Sequence, residues 1–231
     1  MLYTAVIPMI HIFDVDYTIL KRPSAWYFLC EALNDGIISL SQIRYLPLAW
    51  MRYKIGHPNM DFIEDVVKHL AGIEKNVLEQ TAEACFERRM KPDIYTGAAK
   101  LIRGAIARGE KVLFASSSLF TLIRPLEHFF GIEGSLASTL EFHDGKTSGR
   151  LAEDSLFGPR KKIAVETWCA ENHVNPDDVC FYSDSYTDLP LMRICGKPVA
   201  VNPDRTLAKE AYKHNWDVLR FSQTLGKCHE C

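Results

Sequence analysis

Short apolar runs alternate with longer amphipathic stretches along most of this chain. Residues 5–13, 111–115, 134–142, 179–182 and 199–201 are apolar over strand length, and Pro8 marks where the first run becomes regular. Helical periodicity fills the intervals. Residues 98–108 read as a helix stopped by Gly109, and 119–130 as another that Pro125 limits. A third begins at Lys161-Lys162, carries Ile163, Val165, Trp168 and Cys169 inward, and ends near Asn172. A short helix follows at 189–194. Asn202-Pro-Asp204 caps a helix over 205–214, and 216–221 forms a last short element. His143-Asp144-Gly145-Lys146 has the composition of a hairpin turn, with a return arm ending near Leu151.

Residues 20–92 break this rhythm, because no convincing strand occurs there. Ser24 caps a helix containing Trp26, Phe28, Leu29 and Leu33, which Asn34-Asp35-Gly36 stops. A second helix starts near Ser41 and meets Pro47. After Gly56-His57-Pro58-Asn59, helical patterns resume over 60–71 and 74–89. The aromatic residues Trp26, Tyr27, Phe28, Tyr45, Trp50 and Tyr53 read most simply as helix-packing core, with a wall over a pocket as the alternative. Alternating strands and helices with one helical interruption predict an α/β fold. The expectation is a doubly wound, Rossmann-like parallel sheet built from 1–19 and 93–231, with a helical subdomain inserted at 20–92.

Composition narrows the function classes. With 27 Lys and Arg against 29 Asp and Glu, a net charge of -2 supplies no broad basic field for nucleic acid. Seven cysteines, an odd number scattered through apolar segments, do not form a disulfide framework and suit a reducing compartment. No apolar run reaches the length of a membrane span, and none has the organisation of a signal peptide, so the expected location is cytoplasmic.

In doubly wound sheets, ligands sit beyond the carboxyl ends of the strands. Asp14 and Asp16 follow the first predicted strand, Ser116 the second, and Asp184 and Asp188 the fourth, while Lys161 and Lys162 open a helix. Carboxylates gathered at one rim repel unless a cation neutralises them, and a hard divalent ion such as Mg²⁺ suits an all-oxygen set. A hydroxyl and an ammonium beside that ion suit a phosphoryl group. Each residue also has a plainer reading: Asp14, Asp16 and Asp188 as turn or cap residues, Ser116 as a turn, Arg88 and Arg89 as surface charges. Spacing does not choose between Lys161 and Lys162. Cys228-Lys-His-Glu-Cys231 has metal-like spacing but reads as a tail.

The order of these stations resembles the haloacid-dehalogenase-like hydrolase superfamily. Phe13-Asp-Val-Asp-Tyr-Thr18 looks like its first motif, Ser116 its second, Lys162 its third and Ser183-Asp-Ser-Tyr-Thr-Asp188 its fourth. Arg88-Arg-Met-Lys-Pro92 and Gly196-Lys-Pro-Val-Ala-Val-Asn-Pro203 are similar to the phosphoserine-phosphatase-like branch, subfamily IB, which places a helical cap between the first two motifs. The resemblance implies Mg²⁺-dependent hydrolysis of a small phosphorylated metabolite through an aspartyl-phosphate. Asp14 would be the nucleophile and Asp16 the acid and base. Thr18, Ser116 and Lys162 would serve the phosphate, and Asp14, Asp16, Asp184 and Asp188 the metal. The helix pattern after Lys162 favours it over Lys161, and Ser24, Arg88 and Arg89 become possible substrate contacts. Two departures matter. Lys21-Arg-Pro-Ser-Ala-Trp26 lacks the acid that receives the amine in phosphoserine phosphatases, the first one being Glu31, and Ser183 stands where Gly is usual. Phosphoserine hydrolysis, phosphotransfer and catalytically idle binding of a phosphorylated ligand are the rival expectations.

Overall fold

A computed structural model describes residues 9–43 and 61–227. Expectations for 1–8, 44–60 and the terminal Cys228–Cys231 tail lie outside the described residues, Tyr45, Trp50 and Tyr53 among them.

The centre is a six-stranded, wholly parallel sheet, flanked by a separate hairpin. Its strands are β1 (Ile10–Phe13), β2 (Lys111–Leu119), β3 (Leu136–Ser138), β6 (Val179–Ser183), β7 (Lys197–Val201) and β8 (Asp217–Leu219). They run in the order β3-β2-β1-β6-β7-β8, so the chain reverses its direction of travel across the sheet next to β1. That switch point is where a doubly wound sheet leaves a crevice. Alternation along β1 explains the double covering. Ile10 and Ile12 pack with Leu113, Phe181, Val165 and Trp168 on one face, while Phe13 joins Phe114, Tyr182 and Ile123 on the other. Tyr182 lies flat on Phe13, with ring centroids 4.1 Å apart. Each such buried side chain contributes about 1.5–3 kcal/mol.

The helices are α1 (Ser24–Asn34), α2 (Leu40–Ile43), α3 (Asp61–Lys68), α4 (Lys75–Cys85), α5 (Thr96–Ala107), α6 (Phe120–Phe130), α7 (Pro159–Glu171), α8 (Leu189–Met192) and α9 (Arg205–His214). The first four form the inserted helical cap. Its entry and exit run side by side as a neck, where Lys21 N–H donates to Asp93 O at 3.0 Å and Tyr95 N–H to Ile19 O at 2.8 Å. After Cys85 the helix widens into one π turn, Phe86–Met90, closed by Lys91 N–H donating to Phe86 O.

Several expectations change. The run 134–142 is not one strand. Leu136–Ser138 pairs with β2, and the chain then leaves the sheet to make hairpin strands β4 (Leu140–His143) and β5 (Lys146–Leu151). The hairpin turn falls where composition put it, with Asp144 and Gly145 both at positive φ. Helix α6 continues through Pro125, which is buried. Trp26 is 51% exposed and Ile163 is 60% exposed, so neither faces inward.

Candidate active site

Strand register builds the rim. Phe13 lies level with Phe114 and Tyr182, so Asp14 follows the end of β1 beside Ser183 at the end of β6 and Ala115 within β2, which runs on past this rim. Asp14 N–H donates to Tyr182 O at 2.9 Å, which fixes the backbone of that carboxylate. The chain then curls, with Ile19 N–H donating to Val15 O and Tyr17 held at φ 62°. A left-handed tyrosine is uncommon, and the turn it permits keeps Asp14, Asp16 and Thr18 at one place.

Lys161 is the ammonium at this place. Its Nζ lies 2.8 Å from Asp14 Oδ1 and 2.8 Å from Asp188 Oδ2, and the side chain is buried. Lys162, the residue favoured by sequence, points away, is partly exposed, and lies 3.6 Å from Glu166 one turn on. The helical face decides between them. Lys161 shares the buried stripe of Val165, Trp168 and Cys169, at i, i+4, i+7 and i+8, whereas taking Ile163 as inward had rotated the helix.

Ser116 is buried, and its Oγ accepts from Ser118 N–H at 3.1 Å, so its own hydroxyl proton remains to donate. Asp16 is held at both oxygens, by Ser24 N–H on Oδ1 at 2.8 Å and Ser118 Oγ–H on Oδ2 at 2.9 Å. Thr18 reaches Asp14 Oδ2 only at 3.5 Å. Ser24 does not cap α1 with its side chain. It is the first helical residue, fully buried, and its hydroxyl meets Ser118 rather than open space. Nor does Asp188 cap α8: its side chain turns inward, where Ser183 Oγ–H donates to Oδ2 at 2.7 Å. The Ser183 hydroxyl thereby fastens Asp188. Asp184 is anchored through its backbone, as its carbonyl accepts from Asp204 N–H at 2.9 Å. Asp204 also holds the Tyr186 N–H, so this expected helix cap doubles as a brace for the loop. Arg88 and Arg89, expected near substrate, both bind Glu31 in the cap, at 2.8 and 2.5 Å.

Burial governs the electrostatics of the rim. Burial pushes the Asp14 carboxyl up to about 7, and neighbouring Asp188 and Asp16 add to the rise while Lys161 opposes it. Burial raises Asp16 despite the hydrogen bonds from Ser24 and Ser118. Asp184 is raised well above the carboxylate range by burial, then by the charges of Asp14 and Asp188. For Lys161, burial alone would favour the neutral amine, but Asp14 and Asp188 outweigh it and hold the group charged. Among the described residues, no three His, Cys, Asp or Glu side chains already form a metal cage. The donor set nevertheless fits a hard cation: all oxygen, in excess of positive charge, with Asp188 Oδ1 buried and lacking a hydrogen-bond partner among those residues.

Comparisons with known proteins agree with this geometry. Residues 12–193 match the model of the haloacid dehalogenase-like hydrolases. A histidinol-phosphatase of Neisseria meningitidis is 31% identical over 219 residues, covering 91% of this chain and 97% of that one. The phosphoserine phosphatase SerB1 of Mycobacterium tuberculosis is 28% identical over 219 residues, 90% of this chain and 70% of its own. A crystal structure of a protein of unknown function from Bordetella pertussis superimposes with a TM-score of 0.82 at 25% identity, covering 91% of this chain and 97% of that one.

Proposed function

This chain belongs to the haloacid dehalogenase-like hydrolase family, in its phosphoserine-phosphatase-like branch, and from that premise we propose that it hydrolyses a small phosphomonoester through a phosphorylated Asp14. The observation that carries the reading is Asp14 at the end of β1, bonded at Oδ1 by the buried Lys161 ammonium, with Asp16 two residues on.

In the first step a carboxylate oxygen of Asp14 attacks phosphorus, and the bond from phosphorus to the substrate's alcohol oxygen breaks. Asp16 gives that oxygen its proton. Burial favours the acid form of Asp16, which suits a donor. In the second step Asp16, now ionised, takes a proton from water, whose oxygen attacks phosphorus and frees Asp14 with inorganic phosphate as product. Lys161 offsets the charge of Asp14, and the Ser116 hydroxyl donates to a phosphoryl oxygen. Mg²⁺, held by Asp14, Asp184, Asp188 and the Asp16 carbonyl, would neutralise carboxylate and phosphoryl oxygens together.

Glu31 bears on the substrate. It is the first acid after the opening motif, and two guanidiniums already neutralise it, so it is poorly placed to receive an ammonium group. That weighs against phosphoserine. Histidinol phosphate carries an ammonium too, so its place at the head of the panel, ahead of phosphoserine, sugar phosphates, phosphocholine and nucleotides, rests on the likeness to a histidinol-phosphatase.

The test is phosphate release from this panel with Mg²⁺ and after chelation. Chelation stops turnover, and Asp14→Asn lowers it by about 10³-fold or more while the unfolding temperature stays near the parent's. Near-parental activity in that variant would overturn the assignment. Transfer to an added alcohol in place of water would identify a phosphotransferase, and binding without release a non-catalytic relative.

A further inference from the structure

Among the described residues, Asp16 is the rim carboxylate bonded from both the cap and the core sheet. Its Oδ1 accepts from Ser24 N–H, at the start of the first cap helix, and its Oδ2 accepts from the Ser118 hydroxyl of core strand β2. The two serines also meet each other, with Oγ to Oγ only 2.5 Å apart. A hydroxyl has one proton to give. When Asp16 is ionised, Ser118 gives its proton to the carboxylate and Ser24 donates between the serines; when Asp16 is protonated the same groups stay in contact. Both residues are buried, Ser24 completely, which removes water as a substitute partner. The contacts run from Ser24 to Ser118 to Asp16, and the Ser24 hydroxyl bears on Asp16 as well.

We infer that Ser118, oriented by Ser24, is the positioning residue that holds the Asp16 carboxyl in the direction needed to pass a proton to the departing alcohol. The inference rests on the phosphomonoesterase reading above. Neither serine touches phosphorus or the nucleophile. Ser118 acts through Asp16, and Ser24 acts through Ser118 and through its own bonds to Asp16. Because Ser24 opens the cap helix, seating of the cap and alignment of the acid are one event.

Leaving-group chemistry distinguishes this from a merely structural role. An alkyl phosphate expels an alkoxide that needs the proton, whereas p-nitrophenyl phosphate expels a phenolate stable without it. kcat/KM reports events only up to the first P–O cleavage, so it isolates that step from phosphoenzyme hydrolysis. The probes are p-nitrophenyl phosphate and glycerol 2-phosphate, each with Mg²⁺. Ser118→Ala is expected to lower kcat/KM for the alkyl ester about tenfold more than for the aryl ester, within the range that general acid catalysis supplies. Ser118→Thr, which keeps the hydroxyl, restores most of the difference. Ser24→Ala gives a smaller loss of the same kind, because its backbone N–H still holds Asp16 Oδ1.

Equal losses on both esters would overturn the inference. If Ser118→Ala proves poorly folded by its thermal unfolding, Ser24→Ala carries the same ester comparison. Asp14→Asn runs alongside as the control for the underlying reading. If it is inactive while both serine variants match the parent on both esters, only the positioning role fails. If it turns over either ester like the parent, the nucleophile assignment fails first.

Discussion

The charges at the rim of the sheet and those in the cap are composed in opposite senses. At the rim, the carboxylates of Asp14, Asp16, Asp184 and Asp188 gather near the ammonium of Lys161, which bonds Asp14 and Asp188. In the cap, the fully buried carboxylate of Glu31 meets two guanidiniums, Arg88 and Arg89. The pKa directions follow. Burial lifts Asp14, Asp16 and Asp184 because their partners are too few. Burial alone would lift Glu31 too, but hydrogen bonds from Arg89 and Arg88 outweigh it and hold the group below the usual range. The cap cluster is complete as it stands and fastens α1 to the π turn. The rim cluster holds more carboxylate than positive charge, which is the state expected of groups kept for chemistry.

That contrast can be broken or sharpened by experiment. The largest effect is expected from the adjacent lysines. Lys161→Met should cost about 10²- to 10³-fold in kcat, the scale of removing a preorganised charge partner. It should also cost about 3 kcal/mol in stability without metal, because Asp14 and Asp188 lose their counter-charge. Lys162→Met should do neither, and kinetics with chemical denaturation check both; the reverse outcome would return the site to Lys162. Glu31→Gln comes next. Loss of charge-assisted bonds to two arginines should lower stability by about 2 kcal/mol, read by urea unfolding, with kcat little changed. A large fall in kcat instead would mean the cap cluster belongs to the active site.

The smallest effect is on the acid side. The Glu31 carboxyl is depressed from 4.5 in the fold, so its contribution is fully present above that pH. It fades as the medium falls through the folded value. The stability gap between parent and Glu31→Gln should therefore be full at pH 7 and close progressively below about pH 4. A gap constant down to pH 3 would contradict the ion-pair account.

The sequence disclosed the rim more readily than its fastenings. Strand-end position and residue chemistry were enough to single out Asp14, Asp16, Ser116, Asp184 and Asp188, because in this architecture polar groups after apolar strands have one place to go. The lysine that lies beside Asp14 is also legible from the helical phase of Val165, Trp168 and Cys169, which Ile163 contradicts. The bracket on Asp16 was not. Ser24 and Ser118 lie 94 residues apart, and nothing local to either marks a partner on another layer. Likewise, Ser138 and Leu140 look continuous in print. Only the competing pairings, one with β2 and one with β5, separate them.

The hairpin that follows has a mechanical consequence. Gly72 N–H donates to Thr147 O, Thr147 N–H to Ile73 O, and Lys75 N–H to Gly145 O, all at 2.8–2.9 Å. A core excursion is thereby riveted to the inserted helices at a second place besides their covalent neck. A plate hinged along one edge swings freely, but one pinned again elsewhere must either carry that pin along or shear it. Admission of a substrate from above would then flex the polypeptide at residues 139 and 152–158, or sever three backbone bonds worth about 1 kcal/mol each.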